Sequence, residues 1–230
     1  MKKNKKTVLI TGSASGFGAY LAKAFHANGY EIVLHDIRGN EKNLLALQEK
    51  IEAHSIVFAD LRNPDELQEL ERAIEALGVN ILVNNAGVNP ELRNGTTVEN
   101  INSVQEILRI NTSATIALCY ATFEHMKKSG GIILNINSIA GLKGSVHEPV
   151  YAASKFGLRG FSESVKDAWL KQGVRMIDMF SGGIATGMSV HSPIINNLIK
   201  PEEYADFIVN LCATNTFFPR EVNVQRTRWD

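Results

Sequence analysis

The stretch Thr7-Val8-Leu9-Ile10-Thr11-Gly12-Ser13-Ala14-Ser15-Gly16-Phe17-Gly18 decides the fold of this chain. A short apolar strand runs straight into a glycine-rich turn, and an amphipathic helix opens behind it. Glycine is needed where a backbone must turn tightly and approach a pyrophosphate with no Cβ in the way. The helix N-terminus then supplies amide donors and the positive end of a dipole. Three glycines alone also make ordinary turns. Their place, after a first strand and before a helix, makes Gly12, Gly16 and Gly18 a dinucleotide cradle.

Outward from this turn, short apolar runs alternate with helical patterns, the signature of repeated βα units and a parallel sheet. The runs are TVLIT (7–11), EIVLHD (31–36), SIVFAD (55–60), NILVNNAG (80–87), GIILNINS (131–138), RMIDMFS (175–181) and a last one near EVNVQ. The first, fourth and fifth are almost continuous Val, Ile and Leu, as strands covered on both faces require. Asn63, Pro64 and Glu66 read as an N-cap, a first-turn proline and a capping box. Ser129-Gly130-Gly131 ends a long fourth helix that begins after Gly95. The expected architecture is α/β: a Rossmann-type doubly wound parallel sheet of about seven strands with helices on both faces. No linker, repeat or low-complexity stretch interrupts it, so 1–230 reads as a single domain with a basic tail at 1–6.

A chain of 230 residues can bury a sizeable core. Its 24 Lys+Arg against 24 Asp+Glu leave no global field for nucleic acid or a membrane surface. The charged start, Lys2, Lys3, Lys5 and Lys6, is followed by too short an apolar run for a signal peptide. No run reaches the ~20 apolar residues that span a bilayer. Cys119 and Cys212 lie in apolar helical stretches and read as reduced core residues, which points to a cytoplasmic setting. No metal site is expected.

Two carboxylates extend the cradle. Asp36, 18 residues beyond Gly18 (36 − 18), can accept hydrogen bonds from both ribose hydroxyls of an adenosine and repels a 2′-phosphate, so NAD is favoured over NADP. A guanidinium at Arg38 can reach such a phosphate, but beside Asp36 it reads as a solvated turn residue. Asp60 either meets the adenine amino group or serves as a capping or turn carboxylate. At the other end, Tyr151 and Lys155 of YAASK follow Ser138 by 13 residues (151 − 138). Four apart on a helix, the phenol and the ammonium share a face. A cation about 4 Å away at an effective dielectric of about 20 is worth roughly 4 kcal/mol, or about three pKa units. Lys155 is therefore expected to lower the Tyr151 phenol toward working pH, where proton transfer is most efficient.

Together TGSASGFG, NNAG (84–87), Asn111, Ser138, YAASK and SGGIAT (181–186) resemble the short-chain dehydrogenase/reductase family in its main single-domain branch, from Thr7 to about Thr186. The resemblance implies an NAD(H)-dependent oxidoreductase that interconverts a secondary alcohol and a ketone by hydride transfer. Tyr151 would exchange a proton with the substrate oxygen, and Ser138 would hydrogen-bond that oxygen. Lys155 would lower the Tyr151 pKa and hold the nicotinamide ribose, while Asn111 would hold a water in a relay to the lysine. Asn111, Thr112 and Ser113 are three weak helix formers in succession and predict an interruption of the fourth helix. By itself Asn111 reads as a buried Asn satisfied within that helix.

The implied cofactor contacts are Gly12, Ser15, Gly16, Phe17, Gly18, Asp36, Asp60, Leu61, Asn85, Ala86, Gly87, Tyr151, Lys155, Ile184 and Thr186. Family members usually carry Pro-Gly where this chain has Ser181-Gly182, which leaves open how firmly that loop is preset. The family pairs its fourth and fifth helices into homodimers or homotetramers. The apolar face of Phe156, Phe161, Val165 and Trp169 suits that, or packing on the chain's own sheet.

Residues 139–150 are expected at the substrate mouth, where Lys143, His147 and Glu148 face either a polar small-molecule substrate or solvent. Segment 187–200 is expected as a flap over the substrate, and the tail EVNVQRTRWD replaces the family's glycine-rich ending. Two other readings compete. One is a non-catalytic NAD(P)-binding regulatory protein of the same fold. The other is a sugar-nucleotide epimerase or dehydratase, whose glycine spacing differs and whose C-terminal region is larger. The joint presence of Asn111, Ser138, Tyr151 and Lys155 favours the oxidoreductase.

Overall fold

The computed structural model describes residues 5–91, 100–189 and 195–227. Each apolar run becomes a strand: β1 Thr7–Thr11, β2 Glu31–Asp36, β3 Ser55–Phe58, β4 Val79–Asn84, β5 Gly131–Ser138, β6 Val174–Ser181 and β7 Glu221–Val224. They form one sheet in the order β3-β2-β1-β4-β5-β6-β7, with every pairing parallel. This is the expected seven-stranded, doubly wound architecture. The strand order reverses at β1 and β4, so ligands belong in the crevice beyond the carboxyl ends of those strands. Two runs are shorter than read: β3 stops at Phe58 and β4 at Asn84. Asp60 and the Asn85-Ala86-Gly87 segment leave the ladder and turn over that same edge.

The helices are α1 Gly16–Ala27, α2 Glu41–Ile51, α3 Pro64–Ala76, α4, α5 Pro149–Leu170 and α6 Pro201–Cys212. Helix α4 consists of Ile101–Leu108 and Thr115–Met126 joined by a π-helical turn, Arg109–Ala114. Strand alternation distributes the core between two faces. Val8 and Ile10 pack with Leu21 and Phe25 of α1 and Ile208 of α6, whereas Leu9 packs with Leu70 and Ile74 of α3, Leu118 of α4 and Trp169 of α5. Trp169 stacks on Phe123 with ring centroids 4.3 Å apart, so this part of the α5 face is core. Phe156 on the same helix stays exposed.

Asn63 caps α3 as expected, accepting from the Asp65 amide at 3.0 Å. Glu66 does something different from the expected box. The Asn63 amide already donates to the Asp60 carbonyl at 2.8 Å, so Glu66 reaches further back to the Asp60 amide at 2.8 Å. The expected start of α4 after Gly95 lies outside the described residues, as do Lys2 and Lys3, residues 190–194 of the expected flap and Trp229. Beneath the sheet's crevice runs a buried polar chain. Asn84 Nδ2 donates to Asn135 Oδ1 at 2.9 Å, and Asn135 Nδ2 and Ser162 Oγ both donate to Asp178 Oδ1, at 3.1 and 3.0 Å. Among the described residues no helix is long and apolar enough to cross a membrane.

Candidate active site

At the end of β1 the chain turns through Gly12 (φ +66°) and Gly16 (φ +55°), both in the left-handed region that glycine enters without steric cost. A Cβ on Gly12 would stand 2.9 Å from the Ala86 Cα, while one on Gly16 would meet nothing within 4 Å. Gly12 thus lets β1 and the β4 loop touch, and Gly16 faces open space. Gly18 serves packing: a Cβ there would lie 2.2 Å from the Gly12 carbonyl oxygen. The first turn of α1 carries no acidic residue, and the Ser15 side chain makes no capping bond. Its amides and dipole are left for an anion, so the turn fits a dinucleotide pyrophosphate.

The loop after β4 is clamped to this turn. Thr11 Oγ1 accepts from the amides of Asn85 and Ala86, both at 3.0 Å, and Asn85 Nδ2 donates to the Thr11 carbonyl at 2.9 Å. Asp36, buried at the end of β2, braces the other side. Its Oδ2 accepts from the Ala14 amide at 3.0 Å and its Oδ1 from the Ile37 amide at 2.9 Å and Asn40 Nδ2 at 2.7 Å. Beside it His35 is held down to about 4 by burial, hence neutral, and its Nε2 lies 3.1 Å from the Ala59 carbonyl. Arg38 is exposed and lies over the Phe58 ring, 5.3 Å from its centroid. The Asp60 carboxylate is engaged by Arg62, with Nε at 2.9 Å and Nη2 at 2.7 Å, and that pairing holds it below the usual carboxylate range. Arg62 Nη1 continues to Glu106 at 2.9 Å.

At the far end β5 delivers Ser138 and α5 delivers Tyr151 and Lys155, and the Ser138 side chain hydrogen-bonds the phenol. Lys155 is buried, its Nζ donates to the Ile136 carbonyl at 3.1 Å, and burial pulls it down to about 8. The expected lowering of the Tyr151 phenol is not found. Burial raises it first, the Glu148 carboxylate raises it further, and only the Ser138 hydrogen bond lowers it. The reason is geometric. Lys155 Nζ lies 5.6 Å from the ring centroid and is turned to a carbonyl, whereas the expectation assumed about 4 Å in a well-screened setting.

Asn111 sits in the π turn of α4, where the three weak helix formers predicted an interruption. Its partners lie outside its own helix: Oδ1 accepts from the Val88 amide and Nδ2 donates to the Val88 carbonyl, both at 2.9 Å, and Nδ2 also reaches Ser154 Oγ at 3.2 Å. A Cβ on Gly87 would be 3.3 Å from Asn111 Oδ1 and 3.9 Å from Lys155 Nζ, so these three groups converge.

One cleft of about 780 Å³ runs from the glycine turn to Tyr151. All the sequence-predicted site residues line it except Gly18, which packs behind the turn, and Asn111, which lies behind Lys155. The loop after β6 closes one side, without the family's proline. It is stapled instead: Ala185 N–H donates to the Ile199 carbonyl at 2.9 Å, Ile199 N–H to the Gly183 carbonyl at 3.0 Å, and Ser189 Oγ accepts from the Thr186 amide at 3.1 Å. Of the three polar residues at the expected mouth, Lys143 and His147 are exposed, and Glu148 turns into the cleft.

Sequence reasoning did not single out Asn89 and Glu91. Glu91 is fully buried and accepts from the amides of Val150 at 3.3 Å and Tyr151 at 2.9 Å, so it caps the helix that carries the tyrosine. A helix opening with Pro149 and lacking a Ser, Thr, Asp or Asn at its N-cap was the available hint that a distant acceptor is needed.

The family model described as "short chain dehydrogenase" matches residues 6–193 of this chain. The 15-hydroxyprostaglandin dehydrogenase (NAD(+)) of Rattus norvegicus is 33% identical over 220 residues, covering 90% of this chain and 77% of that protein. The 3-alpha-(or 20-beta)-hydroxysteroid dehydrogenase of Mycobacterium tuberculosis is 30% identical over 224 residues, covering 93% and 84%. Among solved structures, a metagenomic short-chain oxidoreductase in complex with NADP shares the fold with a TM-score of 0.82 at 24% identity, covering 97% of this chain and 98% of that one.

Proposed function

This chain belongs to the short-chain dehydrogenase/reductase family, and from that premise we propose that it is an NAD(H)-dependent oxidoreductase interconverting a secondary alcohol and a ketone. One observation carries the reading: Ser138, Tyr151 and Lys155 share one cleft with the glycine turn, so proton transfer and dinucleotide binding meet in one space. The nicotinamide, when bound, supplies the hydride acceptor or donor. Tyr151 exchanges a proton with the substrate oxygen. Raised by burial and by Glu148, its phenol stays protonated at neutral pH and is set to give that proton to a ketone oxygen. Ser138 donates a second hydrogen bond where charge develops. Lys155 holds the ribose beside Tyr151. Asn111, its side chain engaged by Val88 and Ser154, braces the π turn whose backbone would hold the relay water.

Asp36 supports NAD over NADP, because a carboxylate at the ribose end of the cleft repels a 2′-phosphate. Arg38 supports the same choice by lying over Phe58 and outside the cleft. The unpaired, buried Cys119 and Cys212 support a reducing, cytoplasmic compartment, and the single sheet supports one domain. Exposed Tyr120 and Phe156 on α4 and α5 support pairing of two copies across that face. Tyr151→Phe tests the mechanism: NADH binding by fluorescence should survive while turnover disappears. Full activity in that variant refutes it. A higher affinity for NADPH than for NADH overturns the role given to Asp36.

A further inference from the structure

We propose that Glu148 and Asn89 select substrates that carry a hydrogen-bond donor, an ammonium or a hydroxyl, on the carbon next to the reacting one. This rests on the dehydrogenase reading above. Glu148 occupies the N-cap position of α5, yet its carboxylate makes no capping bond. That task falls to Glu91, whose two carboxylate oxygens take the Val150 and Tyr151 amides. Relieved of it, the Glu148 side chain lines the cleft three residues before Tyr151 (151 − 148), close enough for its charge to act on the phenol.

Asn89 fixes Glu148 in this position. Its Nδ2 donates to Glu148 Oε2, and Ser145 adds a second bond to the carboxylate. Asn89 is only 5% exposed, it too lines the cleft, and its Oδ1 is buried with no partner. The pair therefore presents one acceptor group toward the site, the Glu148 carboxylate, with Asn89 as its support. A ligand N–H or O–H placed here gains a charge-assisted hydrogen bond to that carboxylate. A ligand carboxylate meets a like charge and finds no donor. Among the described residues lining the Tyr151 end of the cleft, Lys155 is the only cation, and its Nζ is turned to the Ile136 carbonyl. The substrate class is a vicinal diol or amino alcohol, or the matching ketone.

The test uses four alcohols that share CH3–CH(OH)–CH2–X: 1-amino-2-propanol, 1,2-propanediol, 2-butanol and 3-hydroxybutanoate. Their kcat/KM values are measured by NADH absorbance for the wild type and Glu148→Gln, with NADH affinity as a control that the variant is folded. The wild type should favour the amino alcohol over the hydroxy acid by about tenfold or more, with the diol ahead of 2-butanol. Glu148→Gln should reduce the first ratio by about tenfold at unchanged NADH affinity. The wild-type order is informative even if the variant fails to fold. A flat order, an unchanged ratio in a folded variant, or activity only on alcohols outside the series overturns the selection and leaves the dehydrogenase reading standing. Oxidation of no alcohol at all, with NADH still bound, removes that reading and this one together.

Discussion

The stability of Asp178→Asn relative to the wild type should rise as the pH goes from acid to neutral. Asp178 is fully buried on β6, its Oδ1 accepts from Asn135 and Ser162, and its Oδ2 is buried with no partner. Burial pushes its carboxyl up to about 6 from 3.8, more than Asn135, Ser162 and Lys166 pull it down. A carboxyl that holds its proton more tightly when folded contributes stability that is fully present below pH 3.8. That contribution is lost as the pH rises through about 6. A difference of about two units corresponds to about 3 kcal/mol. Asparagine keeps one acceptor for Asn135 and Ser162 and has no proton to lose. The stability of the variant minus that of the wild type should therefore climb by about 3 kcal/mol between roughly pH 3 and pH 7.5. Any pH-independent effect of exchanging the second oxygen for an amide only offsets the curve. Urea unfolding at a series of pH values reads this directly. In thermal melts the same change amounts to roughly 6–12 °C for a chain of this size. A difference that stays flat with pH, or falls, refutes the reasoning. Losing the Asp178 charge also removes a raising influence on Lys155, so the lysine should titrate lower and activity at neutral pH should drop.

Three further substitutions separate packing from ligand contact and capping from catalysis. Gly18→Ala puts a Cβ 2.2 Å from a backbone oxygen and should cost about 1–3 kcal/mol of stability. Gly16→Ala meets open space but sets a Cβ at φ +55°, so it should lose about 1 kcal/mol to backbone strain while weakening NADH binding, as read by parallel melts and fluorescence titrations. Glu91→Ala strips both acceptors from the start of α5 and should cost about 1–2 kcal/mol in urea unfolding. Because the helix start carries Tyr151, kcat should fall more than NADH affinity; equal loss of both would point to general misfolding.

Much of the fold was legible because its signals are local. A strand buried on both faces must be apolar at successive positions, so β1, β2 and β5 could be bounded to the residue from their runs. The π turn was foreshadowed by Asn111, Thr112 and Ser113, whose side chains weaken a regular helix. The polar side of the active site was less readable. Glu91 reaches Tyr151 across 60 residues (151 − 91), and Asn89 reaches Glu148 across 59 (148 − 89). No spacing rule connects such pairs. The Asp60 carboxylate illustrates the same limit, since its Arg62 neighbour was visible in the sequence but not the geometry that pairs them.

The sequence by itself determined the doubly wound sheet, the glycine turn against which a pyrophosphate can lie, and the grouping of Ser138, Tyr151 and Lys155. These depend on residue type at short, regular spacings, where backbone geometry leaves little choice. Only the tertiary structure decided the electrostatics. Helical spacing placed a lysine beside a tyrosine, but the direction of the phenol's shift depends on desolvation and on every charge within a few ångströms. Those are set by where distant segments pack. Burial and the inward turn of Glu148 raise the phenol against the Ser138 hydrogen bond, and the same turn of Glu148 shapes what the cleft can accept.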